Sequence, residues 1–184
     1  MNVEGFIVDV CYNDRIIEVQ TGNFVAIKSK IFQLTKQHKM TLVYPIAVEK
    51  WLLKVTDDAA SKYSRRKSPK RGLAEQVFSE LVSFPELMKN PNFTLELALI
   101  HEEEVRCCSS ANRTWRNNGW VSVERRLIKV LETKSFHGPQ SMLVFLPETL
   151  PDKFTTLEIA KHGQISRRLA QKMAYCLYKM DCIQ

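Results

Sequence analysis

The sequence predicts an α/β protein, a mixed sheet with packed helices, followed by a small helical domain. Three observations predict it. Two short apolar runs meet at Asn13-Asp14 near the start of the chain. A run with helical period then leads into further strands rich in Val, Ile and Leu. In the C-terminal part, two amphipathic helical runs flank His162-Gly163. A polar, turn-rich stretch, "HEEEVRCCSSANRTWRNNGW", sets the domain boundary near residue 118. This gives an α/β domain over 1–118 and a helical one over 119–184.

The elements follow in order. "GFIVDVCY" and "RIIEVQT" are strands, and the Asn-Asp between them accepts the positive φ of a tight hairpin turn. Thr21-Gly22-Asn23 ends the second strand, with Asn23 as N-cap. "FVAIKSKIFQLTKQH" then sets Phe24, Ile27, Ile31 and Leu34 on one helical face. "MTLVYPI" and "KWLLKV" are two further strands. "KYSRRKSPKRG" is a basic loop marked by Pro69 and Gly72, and "LAEQVFSELVSFPELM" is a helix. "FTLELALI" is another strand. Beyond 118, "VSVERRLIKVLE" repeats Val123, Leu127, Val130 and Leu131 at helical spacing. "SMLVFLP" is a short apolar piece, and the chain closes on two helices around Gly163.

Composition narrows the function classes. With 27 Lys and Arg against 20 Asp and Glu, the formal net charge is +7, and a polyanionic partner fits that excess. No apolar run approaches the roughly 20 residues that span a bilayer. No basic n-region precedes a long apolar stretch, so no secretory signal is expected. Five cysteines without a CxxC pair read as reduced thiols of a cytoplasmic protein. There is no GxxxxGK[ST] loop and no Ser or Cys triad partner for the histidines. Glu102, Glu103 and Glu104 after His101 read as a solvated acidic patch.

The hairpin carries the most specific signal. With Asn13-Asp14 as a two-residue turn, Val10 faces Ile17 and Asp9 faces Glu18; Gln20 shares the face of Glu18. Like charges directly opposite one another are destabilising unless a proton or a cation intervenes. Two readings are open at this point. One is a divalent-metal site, Mg²⁺ or Mn²⁺, on Asp9 and Glu18. The other is a solvated hairpin face neutralised by Arg15 or a nearby lysine, and a one-residue slip of register would separate the two acids.

"GFIVDV" followed by "RIIEVQTGNF" resembles the core of the PD-(D/E)XK, or restriction-endonuclease-like, nuclease superfamily. There an Asp at a strand end precedes Glu-x-Lys or Glu-x-Gln on the next strand, and a helix then packs on the sheet. The resemblance spans roughly residues 3–55. It implies a restriction-endonuclease-like core and metal-dependent DNA endonuclease activity, with Asp9 and Glu18 as metal ligands. Gln20 stands where the family usually has its catalytic lysine, and Lys28 and Lys30 on the following helix are candidates for a relocated one. The family's usual helix before the first strand has no counterpart, and Glu4 has the wrong strand parity to replace an acid on it.

The basic residues Arg65, Arg66, Lys67, Lys70 and Arg71 have the composition of a phosphate-contacting loop, with Tyr63 as a base-stacking candidate. The two last helices resemble a winged-helix or helix-turn-helix module. Thr155 or Thr156 with Glu158 caps the first helix. The second helix shows Arg167, Arg168, Gln171, Lys172 and Tyr175 away from its apolar stripe. DNA is therefore the expected partner, a homodimer a further expectation, and Trp115 and Trp120 expected packing residues. A DNA-binding regulator or adaptor on a degenerate nuclease fold is the alternative, and docking on an acidic protein a third.

Overall fold

The structure, a computed structural model, describes residues 1–55, 64–108 and 119–184. It is a mixed α/β fold with C-terminal helices. Its strands are β1 (Asn2–Val3), β2 (Phe6–Ile7), β3 (Val10–Tyr12), β4 (Arg15–Val19), β5 (Lys39–Val55), β6 (Ser64–Lys67), β7 (Phe93–Cys108) and β8 (Trp120–His137). Its helices are α1 (Phe24–Leu34), α2 (Phe78–Leu81), α3 (Thr156–His162) and α4 (Arg167–Lys179). Among the described residues, β1 and β2 form a small ribbon. The main sheet has six strands in the order β3-β4-β5-β7-β8, with β6 also paired to β5.

The chain divides into two compact units that interleave in sequence. One comprises 1–45, 74–97 and 134–184, the other 46–73 and 98–133. The expected division into 1–118 and 119–184 is not the one the chain contacts give, and residue 118 itself lies outside the described residues.

In the first unit the hairpin forms in the expected register. Asn13 and Asp14 have φ of 46° and 60°, and Val10, Cys11 and Tyr12 lie opposite Ile17, Ile16 and Arg15. The positive φ pair matches the right-handed twist of the flanking strands. Strand β4 then runs into α1 and back to β5, which lies parallel to β4 from Arg15↔Lys39 to Val19↔Val43. Ile16, Phe24, Ile31, Leu34 and Leu42 are fully buried. Phe24 stacks on Phe84 with centroids 5.5 Å apart and meets Tyr44 edge-on at 5.2 Å. The expected helix over 73–88 is broken: α2 is a single turn between 3-10 turns at Ala74–Val77 and Pro85–Lys89. Pro85 cannot continue a helix, and Phe84 before it has left the helical region, at φ −158° and ψ 56°.

Toward the C-terminus, residues 139–145 form another 3-10 turn, and α3 and α4 form as expected. Thr155 Oγ1 accepts from Glu158 N while Thr155 N donates to the Glu158 carboxylate, a complete capping box. Ser166 Oγ caps α4 by accepting from Leu169 N. Leu169, Ala170, Met173, Cys176 and Leu177 form its buried stripe.

Strands β5, β6 and β8 correct several expectations. The two strands expected around Pro45 are one, β5. Its pairing with β4 ends at Val43 and that with β6 begins at Trp51, so Pro45 lies between the two paired stretches. "SRRK" is not loop but β6, antiparallel to β5. "VSVERRLIKVLE", residues 121–132, expected as a helix, lies within strand β8. Its apolar residues fit a helical period because it lies at a sheet edge with both faces open, so no alternation of burial marks it as a strand. Gly72 donates to Ala47 O at 2.8 Å, and a Cβ there would stand 2.8 Å from that oxygen and 2.7 Å from Ile46 Cγ2. Only glycine permits this approach.

Candidate functional site

The two hairpin carboxylates are held by reciprocal contacts. Val19 N donates to Asp9 Oδ2 at 2.8 Å, and Asp9 N reaches Glu18 Oε2 at 3.4 Å. The β3–β4 ladder ends at Val10↔Ile17, and these two backbone-to-carboxylate contacts join the chain just beyond it. Asp9 is exposed, whereas Glu18 is only 6% exposed, on the face that packs against α1.

Lys30 completes the group. Its Nζ donates to Glu18 Oε1 at 2.5 Å and to Ile7 O at 2.5 Å. Both partners of the pair are largely withdrawn from water, so the attraction is little screened, and losing either partner leaves a charge where solvation is poor. Of the two helix lysines expected here, the structure brings only Lys30 to the acids. Lys28 is exposed, its Nζ 5.9 Å from the Phe32 ring centroid. Gln20 is tied by its backbone to Val43 O at 2.9 Å, and its side-chain amide donates to Gly22 O. Glu4, at φ 50°, pairs with His38 at 3.0 Å.

One residue near this site went unsuspected. Asn23 precedes α1 in a left-handed conformation, with no side-chain cap. The missing cap comes instead from Glu80, whose Oε2 accepts from Phe24 N at 3.1 Å. Burial first, and then the charge of Glu80, push the Tyr44 hydroxyl above its ordinary pKa. Nothing local in the sequence announces a cap supplied from so far along the chain.

As a donor set for a metal, Asp9 and Glu18 offer two carboxylates from adjacent strands. Among the described residues no cluster of three or more His, Cys, Asp or Glu side chains converges as a cage. Two carboxylates completed by water and substrate phosphate suit Mg²⁺, which seldom has an all-protein cage. The donor chemistry fits.

The basic segment is partly occupied. Arg65 pairs with Glu103 at 2.7 Å and lies 4.1 Å from the Trp51 ring centroid; Lys67 pairs with Glu49. Arg66, Lys70 and Arg71 are exposed, with no carboxylate partner among the described residues. Tyr63 and Trp115 lie outside the described residues. Lys54 sits 4.5 Å over the Trp120 ring. The acidic run is not a solvated patch. Lys50 lies 2.7 Å from Glu102 and 3.2 Å from Glu104, and Arg106 also bonds Glu104 at 2.7 Å. On α4, Arg167 and Arg168 are exposed at the N-terminal end, but Lys172 is turned inward and donates to Ser79 O at 3.4 Å. Gln171 and Tyr175 line a cleft of about 570 Å³ with Phe154 and Ile159.

A family model described as "Domain of unknown function (DUF8091)" matches residues 1–137, from the hairpin to the end of β8. The chain belongs to the DUF8091 family. The match takes in Asp9, Glu18 and Lys30 and stops before α3 and α4. This DUF8091 chain is also 26% identical, over 164 residues, to an "Uncharacterized protein" of Treponema pallidum (strain Nichols). That alignment covers 89% of the chain and 64% of the relative, so the chain spans about two thirds of the length of the curated relative it matches. No solved structure matches it. No helix among the described residues is long and apolar enough to cross a membrane.

Proposed function

We propose that this chain is a metal-dependent endonuclease acting on DNA, with Asp9, Glu18 and Lys30 as its reacting group. The observation that carries the proposal is the nearly buried Glu18, whose carboxylate lies 3.4 Å from Asp9 N and holds Lys30 Nζ at 2.5 Å. A carboxylate pair with an adjoining lysine, on an antiparallel hairpin followed by a helix and a parallel strand, is what the nuclease resemblance leads one to expect. Asp9 and Glu18 would hold Mg²⁺ or Mn²⁺, which when bound supplies a water of lowered pKa and neutralises charge on the phosphate. Lys30 takes the role that Gln20 lacks the charge to perform: it orients Glu18 and offers a proton donor beside the attacked phosphate. Arg66, Lys70, Arg71, Arg167 and Arg168 remain the cations for backbone phosphates. The free thiols of Cys11, Cys108, Cys176 and Cys182 fit a cytoplasmic setting.

A second reading rests on a specific observation. Asp9 and Glu18 are already satisfied by Val19 N, Asp9 N and Lys30. A scaffold that binds DNA without cutting it would look the same. Cleavage of supercoiled plasmid in Mg²⁺ or Mn²⁺, compared with Asp9→Ala and Glu18→Ala, separates the two. The proposal expects cleavage that requires the metal and both acids. Cleavage indifferent to both substitutions overturns the site, and metal-independent duplex binding without cleavage favours the scaffold.

A further inference from the structure

Strand β8 is 18 residues long and lies at an edge of the sheet, with β7 as its sheet neighbour among the described residues. Residues 122–135 are exposed throughout, on both faces. Val123 and Leu127 are 61% and 62% exposed on one face, Ile128 and Val130 47% and 45% on the other. A long edge with apolar side chains on both faces offers a row of backbone donors and acceptors to another strand, a feature that soluble proteins rarely leave uncovered.

The residue order says what fits it. We infer that β8 is the pairing edge for a second copy of this chain, joined antiparallel across a twofold axis normal to the sheet at Lys129. In that register Arg126 lies opposite Glu132 of the second copy, Ile128 opposite Val130, and Leu127 opposite Leu131. Each pair occurs twice by symmetry, and opposed charges and opposed apolar groups each stabilise a sheet.

Neighbouring registers are worse. An axis at Leu127 sets Arg125 against Lys129, and one at Ile128 sets Glu124 against Glu132. An axis at Val130 sets Ile128 against Glu132. The chosen register has one like-charge contact, Lys129 with its own copy, on long exposed side chains that are free to splay into water. Arg126 already bonds Glu124 at 2.6 Å and approaches Glu103 of β7 at 4.0 Å, so Glu132 of the second copy would add to carboxylates that this guanidinium already meets. The dimer goes beyond the nuclease reading and stands whether or not the hairpin acids cut DNA.

Sedimentation of the full chain tests it, using Arg126→Glu and Glu132→Arg. The wild type is expected to dimerise, and each substitution to raise the dimer dissociation constant about tenfold or more by creating two like-charge pairs. An equimolar mixture of the two variants should associate again, because both pairs between positions 126 and 132 in the mixed dimer are then of opposite sign. Hydrogen exchange on the wild type supplies a readout that needs no variant: amides of 122–133 should become more protected as protein concentration rises. A wild type monomeric at every accessible concentration, variants that dimerise as the wild type does, a mixture that stays monomeric, or protection independent of concentration would each overturn the inference.

Discussion

Lys30 Nζ lies 2.5 Å from Glu18 Oε1, with side chains only 14% and 8% exposed. Lys30→Met leaves the carboxylate nearly buried and unpaired, which should cost roughly 3–5 kcal/mol of folding stability in denaturant titrations. If the acids accept a divalent cation, millimolar-range Mg²⁺ or Mn²⁺ should recover part of that loss by binding the native state. The same additions should do nothing for Lys30→Met combined with Glu18→Gln. Lack of any metal effect on the single variant would argue for a purely structural ion pair.

Gly72→Ala should destabilise the protein by about 1–3 kcal/mol, because the added methyl would meet a backbone oxygen that β5 cannot move cheaply. Chemical denaturation gives the value directly. An unchanged midpoint would mean that the chain at 72 relaxes away from β5.

Should the chain bind duplex DNA, its cations will not contribute equally. Arg65 and Lys67 must first give up Glu103 and Glu49, whereas Arg66, Lys70 and Arg71 have no such partner to lose. Alanine at each of the latter three should reduce affinity and flatten the salt dependence by about one ion per residue. Alanine at Arg65 or Lys67 should have the smaller effect on both. Equal losses at all five positions would show that the β6 ion pairs open at no cost.

Acid sensitivity should carry the imprint of Glu104. Burial alone would raise its carboxyl, but hydrogen bonds from Arg106 and Lys50 outweigh burial and hold it below the usual carboxylate range. A depressed folded-state pKa contributes stability that is present above the unfolded value, about 4.3, and is lost as pH falls through the lower folded one. Stability of Glu104→Gln should accordingly fall less steeply than that of wild type below about pH 4. Parallel curves would exclude Glu104 as a source of acid lability.

Among the thiols, burial pushes Cys176 up to about 12, while Cys108 is exposed. Alkylation of the native protein at neutral pH should label Cys108 first and leave Cys176 unmodified until the protein unfolds. Mass spectrometry of the labelled peptides decides this, and early labelling of Cys176 would show that α4 opens readily.

What was legible in the sequence was local. Asn13-Asp14 marked the hairpin register through backbone preference, as far as Val10 opposite Ile17. Thr155 with Glu158 marked the start of α3 by the spacing of a capping box. What stayed hidden depended on partners far along the chain. The helical spacing of Val123, Leu127, Val130 and Leu131 is a fair local signal, yet pairing with β7 makes the segment a strand. The cations of β6 gave no hint that Glu49, Trp51 and Glu103 would claim them. Lys30 and Lys28 are equivalent by composition, and only the helix phase against β4 separates them.

The cap on α1 has a consequence for how the chain acquires its shape. Phe24 N waits for an oxygen 56 residues downstream. During synthesis the first helix therefore emerges with its leading turn unsecured, and α1 stays prone to fraying until α2 has been made and docked. That contact cannot close before residue 80 has been made.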